Sequence, residues 1–183
     1  MPPQKGFTKR RDIFTEEEID KLISMCESSY NASQFKSLIA FLYISACRLN
    51  EVLSCTRSSF AFDDYNLYTR IKLSKNPDIA YRNLPPLSLN NKYIKLIVER
   101  IIELNAADNL VWTISSKTFE RKLKSIIPDA WIHLFRRTRL TMFAQKGFDP
   151  FKLQVWAGWS DTRPAKEYIQ AAAIQIRDMG ESI

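Results

Sequence analysis

"IHLFRRTRLTMFAQKGFDPFKLQVWAGWSDTRPAKEYI", residues 132–169, holds the chain's single histidine, His133, three positions before the first of three arginines. On a helix, positions i and i+3 share a face, so His133 and Arg136 point the same way. Both can then reach one anion, the guanidinium as a fixed fork of donors and the imidazole as a group that gives or takes a proton near neutral pH. Gly147 stops this helix, Asp149-Pro150 opens the next, and a last helix after Pro164 carries Tyr168. An HxxR pair alone also suits a partly buried, hydrogen-bonded histidine, so its meaning turns on the partners the rest of the chain supplies.

The composition bounds those partners. A length of 183 residues, a hydrophobic fraction of 45% and only 4 Gly describe one folded domain with a real core. Lys and Arg number 27 against 20 Asp and Glu, a net charge of +7 that favours a polyanion: nucleic acid or an anionic membrane surface. No apolar run is long enough to span a bilayer, and the opening "MPPQKGFTKRR" has no apolar leader core, so nucleic acid is the better guess. Cys26, Cys47 and Cys55 are odd in number and form no CxxC, which leaves neither a disulfide framework nor a zinc module. The expectation is a reduced, cytoplasmic chain with buried thiols, no cofactor and no metal.

Residues 1–12 carry four basic residues and two prolines without periodicity, and read as a flexible arm or the remnant of a linker. Thr15 and Glu18 are spaced as a capping box, and Ile19, Leu22 and Ile23 share a face of the helix that follows. In "ASQFKSLIAFLYISA" a wide stripe of Phe35, Leu38, Ile39, Leu42 and Tyr43 marks a largely buried helix, and "CRLNEVLSC" turns into another short one. From Ser58 to Leu87 the character changes: "LYTRIKL" and "AYRNLPPL" flank "SKNPDI" as a β-hairpin, with a third strand near "SSFAF". "NNKYIKLIVERIIEL" resumes the helical period, "NLVW" is a short extended piece, and "SKTFERKLKSI" is a basic amphipathic helix ended by Pro128. The next helix is expected over 131–146. The fold class is mainly α with a small antiparallel sheet (α+β).

The order of these segments resembles the tyrosine recombinase (phage integrase) family. "LYISACRLNEVLS" is similar to the family's first arginine box, approximately TG-x-R-x-x-E, and residues 132–169 are similar to its second, H-x-x-R-H-T followed by G-[HW] and a Tyr. The resemblance covers about residues 13–175 and implies a tyrosine recombinase catalytic-domain fold over 13–183, with no N-terminal core-binding domain before it.

The resemblance also implies roles. Arg48 and Arg136 clamp the non-bridging oxygens of a scissile phosphate, His133 completes the clamp and assists proton movement, and Trp159 takes the place of the family's second His or Trp. Tyr168 is the nucleophile, and Lys75, at the hairpin turn, is the general acid, with Lys72 as its rival. Fixed cationic donors stabilise the charge of a phosphoryl transition state without a metal, and they help a phenol of ordinary pKa about 10 to ionise. Each residue has a plainer reading: Arg48 as a helix-end cation, Lys75 as a solvated turn residue, Trp159 as core, Tyr168 as a helix-face aromatic. Three departures stand out. The approach to Arg48 reads Ala46-Cys47 where the family usually has Thr-Gly, Arg137 replaces a histidine, and Trp159 can donate one N–H but cannot shuttle a proton.

The implied activity is site-specific DNA cleavage and rejoining through a 3′-phosphotyrosyl intermediate, metal-independent, by a homo-oligomer (dimer to tetramer) on double-stranded DNA. The alternatives are a type IB topoisomerase-like nicking-closing enzyme and a non-catalytic DNA-binding regulator with a degenerate site.

Overall fold

Thr15 Oγ1 accepts from the Glu18 N–H at 3.2 Å, and the Glu18 carboxylate accepts from the Thr15 N–H at 3.0 Å. This capping box satisfies two helix-end donors and starts α1 (Glu16–Ser24) where the spacing predicts it. The computed structural model describes residues 12–74 and 80–180. The basic arm expected at 1–12 lies outside them apart from Asp12, as does Lys75.

α2 (Ala32–Ser45) is the centre of the molecule, buried almost continuously from Phe35 to Ser45. It packs against α1, α4 (Lys92–Ile102) and α6 (His133–Gln145). Phe41 of α2 stacks on Trp112 at 5.4 Å between ring centres, and the Trp112 indole N–H donates to Ser37 Oγ at 2.9 Å, so the one polar tip in this layer is satisfied. Truncating Trp112 would cost about 3–5 kcal/mol, since the neighbours cannot collapse into so large a void.

The hairpin forms as the alternation requires. In β2 (Asn66–Lys72), Leu67, Thr69 and Ile71 face inward while Tyr68, Arg70 and Lys72 face out. Three short strands pair antiparallel with β2: β1 (Phe60–Phe62), the strand expected near "SSFAF"; β3 (Tyr81–Asn83); and β4 (Leu87–Ser88). The expected extended piece "NLVW" amounts to a single bridge from Leu110 to Thr56. Short α3 (Leu49–Leu53) joins α2 to this sheet, and α5 (Ser116–Ile126) is the expected basic helix.

The C-terminal part has its own apolar cluster. Leu140 and Phe143 of α6, Leu153 and Ala157 of α7 (Pro150–Ala157), Trp159, and Ala165 of α8 (Ala165–Gly180) are buried together with Ala46. Ala46 is thus the point at which the end of α2 is sealed against the second half of the chain.

Candidate functional site

Two chain segments far apart in sequence, 45–51 and 133–168, meet at the end of α2. There Ala46 adopts a left-handed conformation (φ 55°), ends the helix, and turns the chain toward Arg48. Among the described non-glycine residues it alone has positive φ. The opposite segment turns in the same way at Gly158 (φ 67°), which closes α7 and presents Trp159. A Cβ on Gly158 would lie 3.1 Å from both Leu73 methyls and 3.3 Å from Arg82 Cδ, so the position lacks room as well as requiring an unusual backbone.

Three side chains bind these turns together. The Trp156 indole N–H donates to the Ser45 carbonyl at 3.0 Å. Arg136, 5% exposed, donates through Nη1 to the Ala46 carbonyl at 2.6 Å and through Nη2 to the Ala157 carbonyl at 3.1 Å. Arg82, from β3, donates to the Trp156 carbonyl and to Cys47 Sγ. Two guanidiniums therefore span the same gap, one from the helical side and one from the sheet.

Arg48 stands at the start of α3, where its own N–H donates to Glu51 Oε2 at 3.0 Å and its Nη1 to Glu51 Oε1 at 2.9 Å. Glu51 is buried, and Ser74 Oγ reaches the same Oε1 at 3.4 Å. Burial pushes the Glu51 carboxyl up, but the Arg48 N–H and guanidinium, with the charges of Arg48 and Arg136, outweigh it and hold the carboxyl below its usual range. Charge balance is nonetheless positive: burial, then the neighbouring Arg48 and Arg82, lower Arg136 to about 10, still cationic at neutral pH.

Around this frame lies one cavity of about 430 Å³, lined by Arg48, His133, Arg136, Trp159 and Tyr168 among others. His133 is exposed at the first position of α6, whose positive helix end also faces the cavity. The Trp159 ring lies under the Arg136 guanidinium at 5.5 Å and stacks on Tyr168 at 5.5 Å between centres, 24° apart. Burial raises the Tyr168 phenol above its ordinary value, while the charge of Arg136 and a hydrogen bond from it pull the other way. The cavity rim carries two carboxylates, Asp12 and Glu167. Arg137 holds both: it pairs with Glu167, donates through Nε to the Asp12 carbonyl at 3.1 Å, and lies 3.8 Å from the Asp12 carboxylate.

Of the six residues singled out from sequence, five share this cavity and Lys75 falls outside the described residues. Its rival Lys72 lines a different hollow, on the sheet side of α3. Arg82 and the Arg137 pairs were not anticipated. For Arg82 a signal exists: counting by two along β3 places it on the inward side with Leu84. Among the described residues no cluster of His, Cys, Asp and Glu suits a metal ion, and no helix is long and apolar enough to cross a membrane.

Residues 12–174 match the model of the phage integrase family. Among solved structures, the chain is similar to XerA recombinase, with a TM-score of 0.70 at 14% identity over 98% of this chain and 67% of that one. It is also similar to the catalytic domain of bacteriophage HP1 integrase, with a TM-score of 0.64 at 18% identity over 92% and 93%. XerH site-specific recombinase bound to its difH substrate gives a TM-score of 0.68 at 17% identity, and the match covers 86% of this chain but 50% of XerH. At these identities the likeness is one of fold. No curated protein matches the sequence at a significant level.

Proposed function

The chain belongs to the phage integrase family, and from that premise we propose that it cleaves and rejoins double-stranded DNA through a 3′-phosphotyrosyl intermediate on Tyr168. The observation that carries this reading is the convergence of Arg48, His133, Arg136, Trp159 and Tyr168 on one cavity, from segments separated by most of the chain.

The step balances within these groups. The Tyr168 phenolic oxygen attacks phosphorus, the bond from phosphorus to the 5′ oxygen breaks, and the 3′ phosphate remains on the tyrosine. Arg48 and Arg136 take the non-bridging oxygens, whose charge grows in the transition state, and the Trp159 indole N–H adds one neutral donor. His133, the imidazole lining the cavity, accepts the phenol proton. Lys75 delivers a proton to the leaving 5′ oxygen. The reverse attack by a 5′ hydroxyl rejoins the strand, with no external energy because the phosphotyrosyl bond replaces the diester one for one. The cationic cluster supplies the charge stabilisation that a metal would otherwise give, so the reaction is expected to proceed in EDTA.

Tyr168 stacks on Trp159, over which Arg136 of the same chain lies, and this favours attack in cis. The single charge of Arg137, paired with Glu167 and 3.8 Å from Asp12, offsets part of the charge of the two rim carboxylates that would otherwise repel a phosphate. In the intact assembly the enzyme is expected to work as a dimer to tetramer on two duplexes.

A covalent trap tests the reading: the protein is incubated with nicked duplex pools in EDTA, quenched with detergent and run beside Tyr168→Phe. A slow-migrating adduct in the wild type alone is the expected result. Adducts in both would remove Tyr168 from the mechanism, and binding without any adduct would favour the regulator.

A further inference from the structure

The cavity described above is the first of three hollows in a row. A second, of about 310 Å³, shares Arg48 and His133 with it and continues over Asn50 of α3 and Ser74 beyond β2. A third, also about 310 Å³, lies one step further along the same two elements, lined by Ser54, Thr56, Ser58, Arg70, Lys72 and Tyr81 among others.

The progression is regular. Asn50 and Ser54 are i and i+4 on the exposed side of α3, and Ser74, Lys72 and Arg70 alternate outward along the sheet strand beside it. The six steps from Arg48 to Ser54 cover about 9 Å at the helical rise. One DNA strand carries a phosphate for each roughly 3.4 Å of duplex axis, so with a duplex laid along α3 about 9 Å would span two to three phosphates.

The third hollow is built for an anion. Its described lining contains no carboxylate, unlike the first with Asp12 and Glu167 and the second with Glu120. Neither Arg70 nor Lys72 forms an ion pair among the described residues. The Arg70 guanidinium lies 4.4 Å from the Tyr81 ring centre, which holds a long, entropically free side chain in one place before any ligand arrives. The hydroxyls of Thr56 and Ser58 are 2.9 Å apart at its edge, a pair of short donors that needs little ordering.

Resting on the reading of the first cavity as the scissile-phosphate site, we infer that Arg70 and Lys72, with the hydroxyls of 54–58, bind a second backbone phosphate of the DNA, two to three nucleotides from the cleaved one. This contact fixes the register of the duplex over Tyr168 and carries no base preference.

Affinity for a fluorescein-labelled duplex of arbitrary sequence, measured against salt concentration, tests this. Each phosphate contact contributes about 0.9 to the slope of log affinity against log salt. Since the two cations share one phosphate, Arg70→Gln is expected to lower the slope by up to about 1, Arg70→Gln with Lys72→Gln by about 1 in all, and Arg70→Lys to keep the wild-type slope. Wild-type slopes in both glutamine variants, with wild-type melting temperatures, would overturn the second phosphate site while leaving the strand-cleavage reading intact. A wild-type protein that binds no duplex would overturn both.

Discussion

Arg136 illustrates why the site needs charged groups that are held rather than free. Two of its five N–H donors are held by the Ala46 and Ala157 carbonyls, so its orientation is fixed before a substrate arrives, and a preorganised donor loses nothing to reorganisation during the reaction. Arg136→Ala is therefore expected to lower the single-turnover cleavage rate by at least about 10²–10³; a rate near that of the wild type would remove it from the phosphate clamp. The same substitution also uncouples two buried carbonyls, so the thermal midpoint should fall as well. Glu51 plays the complementary part for Arg48. Its folded pKa lies below the ordinary 4.5, so the ion pair's contribution is complete above that value and is lost as pH falls through the depressed one. Urea midpoints should drop on acidification below about pH 4.5, and Glu51→Gln should lose about 1–3 kcal/mol at neutral pH and flatten that acid limb. A variant with an unchanged acid limb would assign the effect to another carboxylate. At this scale the sequence was informative where residue type and spacing repeat a pattern, as for His133, Arg136 and Tyr168. It was silent on the pairing of Arg137, whose partners Asp12 and Glu167 lie in remote segments that no local spacing relates.

At the scale of elements, the helices were legible because each carries its own signals. The capping box at Thr15, Pro128 after α5 and Gly147 after α6 act over a few residues, so they survive without tertiary information. The helix expected over 131–146 begins at His133 because Trp131 and Ile132 form the turn that leads into it, with the Trp131 carbonyl accepting from Leu134 at 3.0 Å. Strand β4 was not legible: a two-residue strand has no alternation to read, and only its pairing with Asn66 and Leu67 defines it. The left-handed turn at Gly158 carries more than chain reversal, since it aims the Ala157 carbonyl at Arg136 and sets Trp159 beneath it. Gly158→Ala places a methyl against Leu73 and Arg82 and forces a left-handed L-residue, at a cost of about 1–2 kcal/mol. We expect a lower thermal midpoint together with slower cleavage. An unchanged melt would show that the turn relaxes freely.

Taken whole, the molecule is built so that the cavity around Arg136 lies across the junction of its two halves, with the sheet on one side and α6 to α8 on the other. The residues proposed to act on phosphate, Arg48, His133, Arg136, Trp159 and Tyr168, line one cavity of a single chain. Cis attack makes a direct prediction: a mixture of Tyr168→Phe and Arg136→Ala proteins should form no more adduct than either alone, because neither supplies a complete cavity. Restored adduct in the mixture would mean that the nucleophile crosses between protomers. The hydrogen bonds from Arg136 to Ala46 and from Trp156 to Ser45 reach back over 90 and 111 residues. During synthesis, therefore, a ribosome must release residues well past 159 before Arg48 and the second half of the cavity can meet. With Tyr168 as the proposed nucleophile, a half-emerged chain, even one already basic enough to settle on nucleic acid, carries no assembled site with which to nick it.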